Sequence, residues 1–393
     1  MKPGAESERT GRAERTTPVA AAEAMGGTGA APRRSGGGAV VASSRERGTS
    51  WRAARGSVRS AGQGLMLLGV ILLVSAWASL SLGSRILGPL EVWRALVGDA
   101  AGDPLTRVIV WELRLPRTLL AAMVGAALAM AGAAFQALFR NALADPYIIG
   151  ASSGAALGAT LAMTFGWSVG MAGFGPLPLA AFLGALGAVL VTLLLAEGAG
   201  AEAGSVASLL LAGTALGAML SAAVSFLLVW RDQPWFQVFN WLLGSFSGRT
   251  WVQVDVGWPY LAVSAVALWL ASRPLDALAG GDAVAQSLGL AVRPARLGVI
   301  AAATLAVAVA VAVSGIIGFV GLIAPHAARR LFGAGHRRLL PASGLLGAIL
   351  LVWADLGART VLAPVEIPVG ILTAVIGGPF FLVLLRRRGG RLA

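Results

Sequence analysis

Few side chains in this sequence could carry out chemistry. The chain has no cysteine, two histidines (His326 and His336) and a single lysine, Lys2. A P-loop requires a Gly-Lys-Ser/Thr motif, so the chain cannot bind ATP in that way, and cysteine-based metal sites and disulfides are excluded. His326 follows Pro325 in an apolar stretch without a second metal ligand nearby, so we interpret it as a structural histidine. We therefore expect no catalytic residue, no metal site and no cofactor bound by this chain.

Arginines at the ends of apolar runs are the charged groups best suited to bind a partner. Arg114 and Arg117 are three residues apart across Pro116, which can open a helix, so their side chains can point the same way. Arg359 stands at the end of a later apolar run. A guanidinium group holds a carboxylate through two hydrogen bonds and keeps its charge at physiological pH. The simplest alternative role for these side chains is contact with lipid phosphates at the membrane surface.

The composition indicates a polytopic membrane protein that is all-α. Of the 393 residues, 57% are hydrophobic and only 12% are charged, whereas a soluble domain has about 25% charged residues. The apolar runs are continuous and do not alternate with polar residues, which argues against a β-barrel. The net charge of +13 comes from basic residues in short segments between apolar runs. This pattern is typical of the cytoplasmic side of a membrane protein, so we expect no nucleic-acid partner.

About ten membrane spans are predicted after a basic tail. The spans cover residues 65–83, 117–139, 147–167, 177–196, 205–230, 255–272, 297–315, 317–333, 340–361 and 368–385. We interpret residues 1–64 as a disordered cytoplasmic tail, 65–388 as the transmembrane domain and 389–393 as a cytoplasmic C-terminal tail, with both termini inside. A true start at Met25 or Met66 remains an alternative for the tail. No carboxylate lies in the middle of a span, which argues against a proton- or sodium-coupled carrier.

Two further patterns concern packing and the membrane surface. Gly150, Gly154 and Gly158 recur at a spacing of four, which predicts one helix face that another helix backbone can approach closely. The segment 230–254 contains four tryptophans and is predicted to lie at the outer interface as an aromatic belt. A short, partly buried helix at this place is an alternative interpretation, and both can hold.

Several ordered motifs resemble the FecCD-type permeases of ABC importers for iron-siderophores, haem and cobalamin. The matching segments are Arg114-Leu115-Pro116-Arg117, Gly125 to Leu128, Gln136, Asn141 to Pro146, Gly150 to Ala155, Ser314 to Arg329, Ala354 to Arg359, Pro368 to Ile371 and Gly377 to Phe380. One departure is Ala142, where the family usually has proline. The resemblance covers residues from about 65 to 388.

The resemblance implies a type II ABC importer permease fold of ten helices in the cytoplasmic (inner) membrane. It implies a dimer with a second permease copy, two separate ATPase subunits that bind ATP and Mg inside, and a substrate-binding protein outside. The expected cargo is a large iron chelate, with an Fe(III)-siderophore first and cobalamin or haem as alternatives. An ATP-independent secondary transporter is the alternative from another class.

The resemblance also suggests roles for individual residues. Arg114, Arg117 and Arg359 match arginines that receive carboxylates from the binding protein. Asn141 and Leu143 match a loop that helps to close the cytoplasmic end of the pathway, although Asn141 could instead be a helix cap.

A loop between the sixth and seventh spans, Leu275 to Arg296, is the predicted contact with the ATPase. Asp282 can cap a short helix that runs through Leu288, and Gly289 can end it. The loop resembles the family's coupling segment at Gly281, Asp282, Ala285, Leu288 and Gly289. We expect Ala285 and Leu288 to insert into a groove on the ATPase, with an ordinary solvated loop as the alternative.

Overall fold

The computed structural model describes residues 46–98, 103–171, 174–198, 205–230 and 235–389. These residues form helices and, apart from one bridge between Met171 and Phe174, no β-structure. The first five elements are α1 (Glu46–Ser81), α2 (Pro89–Val97), α3 (Pro104–Val108), a π-helical turn (Ile109–Arg114) and α4 (Leu115–Leu138). They are followed by α5 (Ala151–Thr164), α6 (Pro176–Glu197), α7 (Val206–Trp230), α8 (Trp235–Leu242), α9 (Trp251–Leu270) and α10 (Ser272–Ala279). The last five are α11 (Asp282–Ser287), α12 (Val292–Ser314), α13 (Val320–Phe332), α14 (His336–Thr360) and α15 (Val369–Gly389).

Every predicted span coincides with a helix, which confirms the all-α membrane fold. Within the described residues, six helices are long and apolar enough to cross a membrane, or seven if α9 and α10, bent by 55°, form one span. The helices α5 and α13 are shorter than predicted, with 14 and 13 residues. Left-handed backbone at Gly150 (φ 85°) and Phe319 (φ 67°) starts each of them late. At 1.5 Å per residue, each reaches only about 20 Å, less than a bilayer core of about 30 Å.

The boundaries of the two tails differ from the prediction. Helix α1 begins at Glu46, so residues 46–64 are helical and the disorder predicted for them is wrong. Once the apolar span is helical, each further residue adds a hydrogen bond, so the helix can extend toward the N-terminus although this stretch contains four glycines. Residues 1–45 and 390–393 lie outside the described residues, and Gly389 belongs to α15.

Helix α4 lies at the centre of the core and contacts its neighbours through glycines. A Cβ atom on Gly125 would lie 2.3 Å from the carbonyl oxygen of Gly347 in α14, and one on Gly132 would lie 2.0 Å from that of Gly321 in α13. Only glycine allows two helix backbones to approach so closely. Membrane helices rely on such close packing because moving an apolar side chain from lipid into the protein interior gives little driving force. The core of the described chain is therefore built around α4, α12, α13 and α14.

The predicted glycine face is confirmed for two of its three members. Cβ atoms on Gly154 and Gly158 in α5 would lie 2.2 and 2.0 Å from the carbonyl oxygens of Gly184 and Ala180 in α6. Gly150 is different, because it precedes α5 and adopts φ 85° as the N-terminal cap. The prediction that it shares the helix face is therefore wrong, and its left-handed backbone explains why glycine is needed there.

Two glycines of α6 should respond in opposite ways to alanine. Gly184→Ala would place Cβ 2.2 Å from the Gly154 carbonyl oxygen, so we expect a loss of about 1–3 kcal/mol through overpacking. Gly187 has no atom within 4 Å of its Cβ position, so Gly187→Ala should leave stability unchanged or raise it by up to about 1 kcal/mol through helix propensity. Thermal unfolding of both variants in detergent measures this, and equal shifts would contradict the packing of α5 on α6.

Candidate functional site

One end of the bundle, which we call the arginine end, is where Arg114 meets the last turn of α1. The Arg114 guanidinium donates to the carbonyl oxygens of Leu80 at 2.6 Å and Ser81 at 3.1 Å, and also to that of Arg85. The last carbonyls of a helix have no intrahelical donor, and their dipole favours a positive charge. Arg114 thus caps α1 and is buried in doing so.

Arg359 contacts the same helix end from α14. Its Nη2 atom donates to the hydroxyl of Ser79 at 2.7 Å and to the carbonyl oxygen of Ser79. Its Nε atom lies 3.8 Å from a carboxylate oxygen of Asp355, one turn earlier in α14. Two arginines from distant parts of the sequence therefore donate hydrogen bonds to the last carbonyl groups of α1.

Arg117 is held by two carboxylates. Its Nε atom lies 2.9 and 3.0 Å from the two oxygens of Asp355, and its Nη2 atom lies 2.9 Å from one of them. Its Nη1 atom donates to both oxygens of Glu366 at 3.0 Å. The planar guanidinium presents one edge to each acid, an arrangement that lysine could not reproduce.

A cavity of about 320 Å³ lies over this network. It is lined by Arg114, Arg117 and Arg359 and by Arg85 and Glu366, together with Gly83, Ser84, Ile109, Leu113, Ala363 and Pro364. The three predicted arginines are therefore brought together at one site.

Their environment differs from that of side chains exposed to a partner or to lipid. All three are buried, with 6–8% of their surface accessible, and all three bind groups within the chain. The acids that hold Arg117, Asp355 and Glu366, lie more than 200 positions after it in the sequence, so the pattern around Arg117 could not reveal them. Docking of a partner at this site stays a prediction.

Pro116 lies in the first turn of α4, as predicted, but this helix does not start freely after a loop. The π-helical turn Ile109–Arg114 runs directly into α4, and the backbone N–H of Leu115 bonds to the carbonyl of Val110. A π turn gives the proline ring room, since proline in an α-helix removes a hydrogen bond and clashes with the preceding turn. Arg114 and Arg117 consequently face different partners.

The opposite end, which we call the α11 end, contains the predicted coupling segment as two short helices, α10 and α11. Gly281 precedes α11 with φ 103° and Gly289 follows it with φ 78°, so the predicted short helix is confirmed. Asp282 does not cap it, because its carboxylate binds Arg296 of α12 at 2.7 Å. This ion pair fixes α11 to the next span.

The two apolar residues predicted to contact the ATPase are not equivalent. Leu288 is 70% exposed, and its neighbour Val284 is 46% exposed. Ala285 is fully buried in the core of the chain itself, so the prediction that it inserts into a partner is wrong. A helix of six residues has room for only one buried face, and Ala285 lies on it.

A contact that the sequence did not suggest joins α10 to α14. One carboxylate oxygen of Asp276 accepts from the backbone N–H of His336 at 2.9 Å and lies 2.6 Å from the Nδ1 atom of the His336 ring. An acid at this position stabilises the N-terminus of α14, where backbone N–H groups have no helical partner. Only a prediction of which helices neighbour one another could have found it.

The predicted gate residues lie in the loop between α4 and α5. The Asn141 side chain accepts from the backbone N–H of Leu143 at 2.9 Å, and Asp145 accepts from that of Tyr147 at 2.9 Å. Both are turns that the loop makes with itself, and neither is the helix cap of the alternative interpretation, because α5 begins only at Ala151 with Gly150 as its cap. A role in closing the pathway stays a prediction.

The tryptophan-rich segment contains the short helix α8, as predicted, with Trp241 buried and Phe236 exposed. Trp251 donates through Nε1 to the carbonyl of Trp111 at 2.9 Å, and the two rings are 5.9 Å apart.

His326 packs edge-on against Phe380. Over the ranges that the structure describes, no group of three histidine or acidic side chains could hold a metal ion.

The fold and these two ends define a class: a polytopic membrane permease with a charged pocket at one end and an exposed apolar helix end at the other. Residues 71–387 match the model of the FecCD transport family. The chain belongs to this family of ABC importer permeases, and it has the family's type II permease fold.

Curated relatives and a solved structure are similar over most of the chain. The uncharacterised ABC transporter permease protein YvrB of Bacillus subtilis is 41% identical over 76% of this chain and 86% of its own. The hemin transport system permease protein HmuU of Yersinia pestis is 39% identical over 82% and 96%. The cobalamin import system permease protein BtuC of Halobacterium salinarum is 44% identical over 73% and 76%.

The solved structure is described as an inward-facing conformation of a metal-chelate type ABC transporter. It superposes with a TM-score of 0.73 and 34% identity, and the match covers 83% of this chain and 99% of that one.

Proposed function

We propose that this chain is the membrane-spanning subunit through which a binding-protein-dependent importer moves a large metal chelate into the cell. It acts with a second permease copy, two ATPase subunits and a substrate-binding protein. This proposal rests on one observation: the chain has an exposed apolar side chain, Leu288, at one end and a charged cavity at the other. ATP bound by the partner supplies the difference in free energy between outward- and inward-facing states.

In this proposal the arginine end faces outward, and the α11 end and both termini face the cytoplasm. The basic tail supports that orientation, since positive charges accumulate on the cytoplasmic side. The binding protein then docks over the cavity lined by Arg114, Arg117 and Arg359, and the ATPases contact Leu288.

The cargo we propose first is an Fe(III)-siderophore, with cobalamin and haem as alternatives. The names of two relatives, one for hemin and one for cobalamin, favour the alternatives. All three are bulky metal chelates, so one kind of pathway suits them. Binding of a ferric siderophore, hemin and cyanocobalamin to the cognate binding protein decides between them.

Transport in vesicles tests the mechanism. We expect uptake to require ATP inside the vesicle and the binding protein outside, and to persist when the proton gradient is dissipated. Uptake driven by a proton gradient alone, without ATP or binding protein, would support the secondary transporter instead.

The loop that holds Asn141 is proposed to close the cytoplasmic end of the pathway. If so, Leu143→Cys should crosslink to its copy across the dimer in one nucleotide state of the ATPases and not in another. The chain has no native cysteine, so every permease–permease crosslink reports this position. Crosslinking that is the same in all nucleotide states would remove the gate role.

A further inference from the structure

The two carboxylates that hold Arg117 differ in accessibility. The Asp355 side chain is 1% exposed, whereas the Glu366 side chain is 38% exposed. Both bind the guanidinium at similar distances, 2.9 Å for Asp355 and 3.0 Å for Glu366. Solvent and a partner's side chain can therefore reach the contact with Glu366 but not the contact with Asp355.

The cavity at the arginine end carries an excess of positive charge. Four arginines line it, namely Arg85, Arg114, Arg117 and Arg359. Among the described residues, three carboxylates pair with them: Asp103, Asp355 and Glu366. One guanidinium charge is thus unmatched while Glu366 is in place, and two are unmatched when it is not. A site of this kind attracts a further carboxylate.

Glu366 belongs to the loop 361–368, which joins α14 to α15. Its exposed apolar side chains are Val361, Leu362 and Val365, with 67%, 59% and 65% of their surface accessible. The loop is bonded to α14 through the N–H of Ile367 and the carbonyl of Ala358. Glu366 supplies its ion pair to α4, and its carboxylate also accepts a hydrogen bond from the side chain of Ser247.

Glu366 is ionised at neutral pH. Burial alone would raise the pKa of its carboxyl group, but the charge of Arg117 and hydrogen bonds from Ser247 and Arg117 hold that pKa below its usual value. The group therefore competes for Arg117 as an anion.

We propose that Glu366 is an exchangeable internal carboxylate, which occupies the accessible edge of Arg117 until an acidic side chain of the docking partner replaces it. Asp355 keeps the other edge throughout, so the fold retains Arg117 while the partner exchanges with Glu366. The exchange releases Glu366, and with it this part of the loop 361–368, from α4. This inference rests on the proposed function, because it takes the substrate-binding protein as the partner.

Glu366→Gln tests the proposal against the matched control Glu112→Gln. Glu112 is an exposed carboxylate on the preceding π-helical turn, and it is not among the groups paired with Arg117. In nanodiscs that contain the permease–ATPase complex, we expect the cognate binding protein to dock about 3- to 10-fold more tightly to Glu366→Gln, chiefly at low salt. Glu112→Gln should dock as the wild type does. Equal tightening in both variants, or weaker docking to Glu366→Gln, would overturn the exchange.

A spin label at Leu362→Cys provides a readout that needs no docking partner. We expect the label to become more mobile when Glu366→Gln is added, and also when the binding protein is added to the chain with Glu366 intact. An unchanged label in Glu366→Gln would overturn the exchange, whatever the partner does. A mobile label in Glu366→Gln, with no docking to any variant, would support the internal contact and count against the proposed function.

Discussion

Replacing Arg117 with methionine is expected to lower the free energy of unfolding by about 3–5 kcal/mol, because a buried carboxylate loses its closest partner and keeps only Arg359, 3.8 Å away. That carboxylate is Asp355, which is 1% exposed and bound by Arg117 at 2.9 Å. Thermal unfolding of the purified permease in detergent measures the loss. Arg117→Met with Asp355→Leu should recover most of it, since replacing both members of a buried pair by apolar residues is often close to neutral.

Arg85→Met is the matched control for this prediction. Arg85 lines the same cavity, but its side chain is 48% exposed and its nearest acid, Asp103, is 3.6 Å away. Its loss should leave the unfolding midpoint nearly unchanged. Similar midpoints for Arg117→Met and Arg85→Met would contradict a buried ion pair at Arg117. A charge reversal such as Arg117→Glu is unsuited to test docking, because it would place a third acid beside Asp355 and Glu366.

Leu288→Asp should uncouple ATP hydrolysis from transport while the chain still inserts into the membrane. The side chain is 70% exposed at the end of α11, so a charge there costs the folded permease little, but it would prevent the proposed insertion of this side chain into an apolar groove of the ATPase. We expect transport to fall about tenfold or more, the size typical of a residue at the centre of an interface. Reconstituted transport and ATPase assays on the same preparation measure both quantities.

Leu331→Asp serves as the control for Leu288→Asp. Leu331 is 65% exposed in the last turn of α13, on the same end of the molecule but outside the coupling segment. It should retain coupled transport. Ala285→Asp should instead prevent folding, because that side chain is fully buried. Coupled transport in Leu288→Asp, or equal loss in Leu331→Asp, would remove Leu288 from the contact.

The parts of the fold that depend on local sequence were predictable. Long apolar runs predicted the helices, and the spacing of Gly154 and Gly158 predicted a close helix contact that the structure contains. Gly289 after a short polar stretch predicted the end of α11. Each of these depends on residues within a few turns of one another, and a sequence displays them directly.

The parts that depend on distant residues were not predictable in the same way. Arg114 and Arg117 resemble surface arginines until the end of α1 and the acids Asp355 and Glu366 are placed beside them. Ala285 and Leu288 are both apolar and three apart, yet only one is buried. Which of the two side chains is buried depends on the helices that pack against α11. The spacing of four placed Gly150 in the helix, but its left-handed backbone makes it part of the preceding turn.

The capping of α1 has a consequence for how the chain assembles during synthesis. The carbonyls that end α1 are bonded by Arg114, 33 and 34 positions later, and by Arg359, 280 positions later. A ribosome therefore delivers the first span long before the groups that complete it. The Ser79 carbonyl waits for Arg359, so until the ninth predicted span has entered the membrane, water or lipid headgroups must serve it. A nascent permease thus completes the arginine end only near the end of translation.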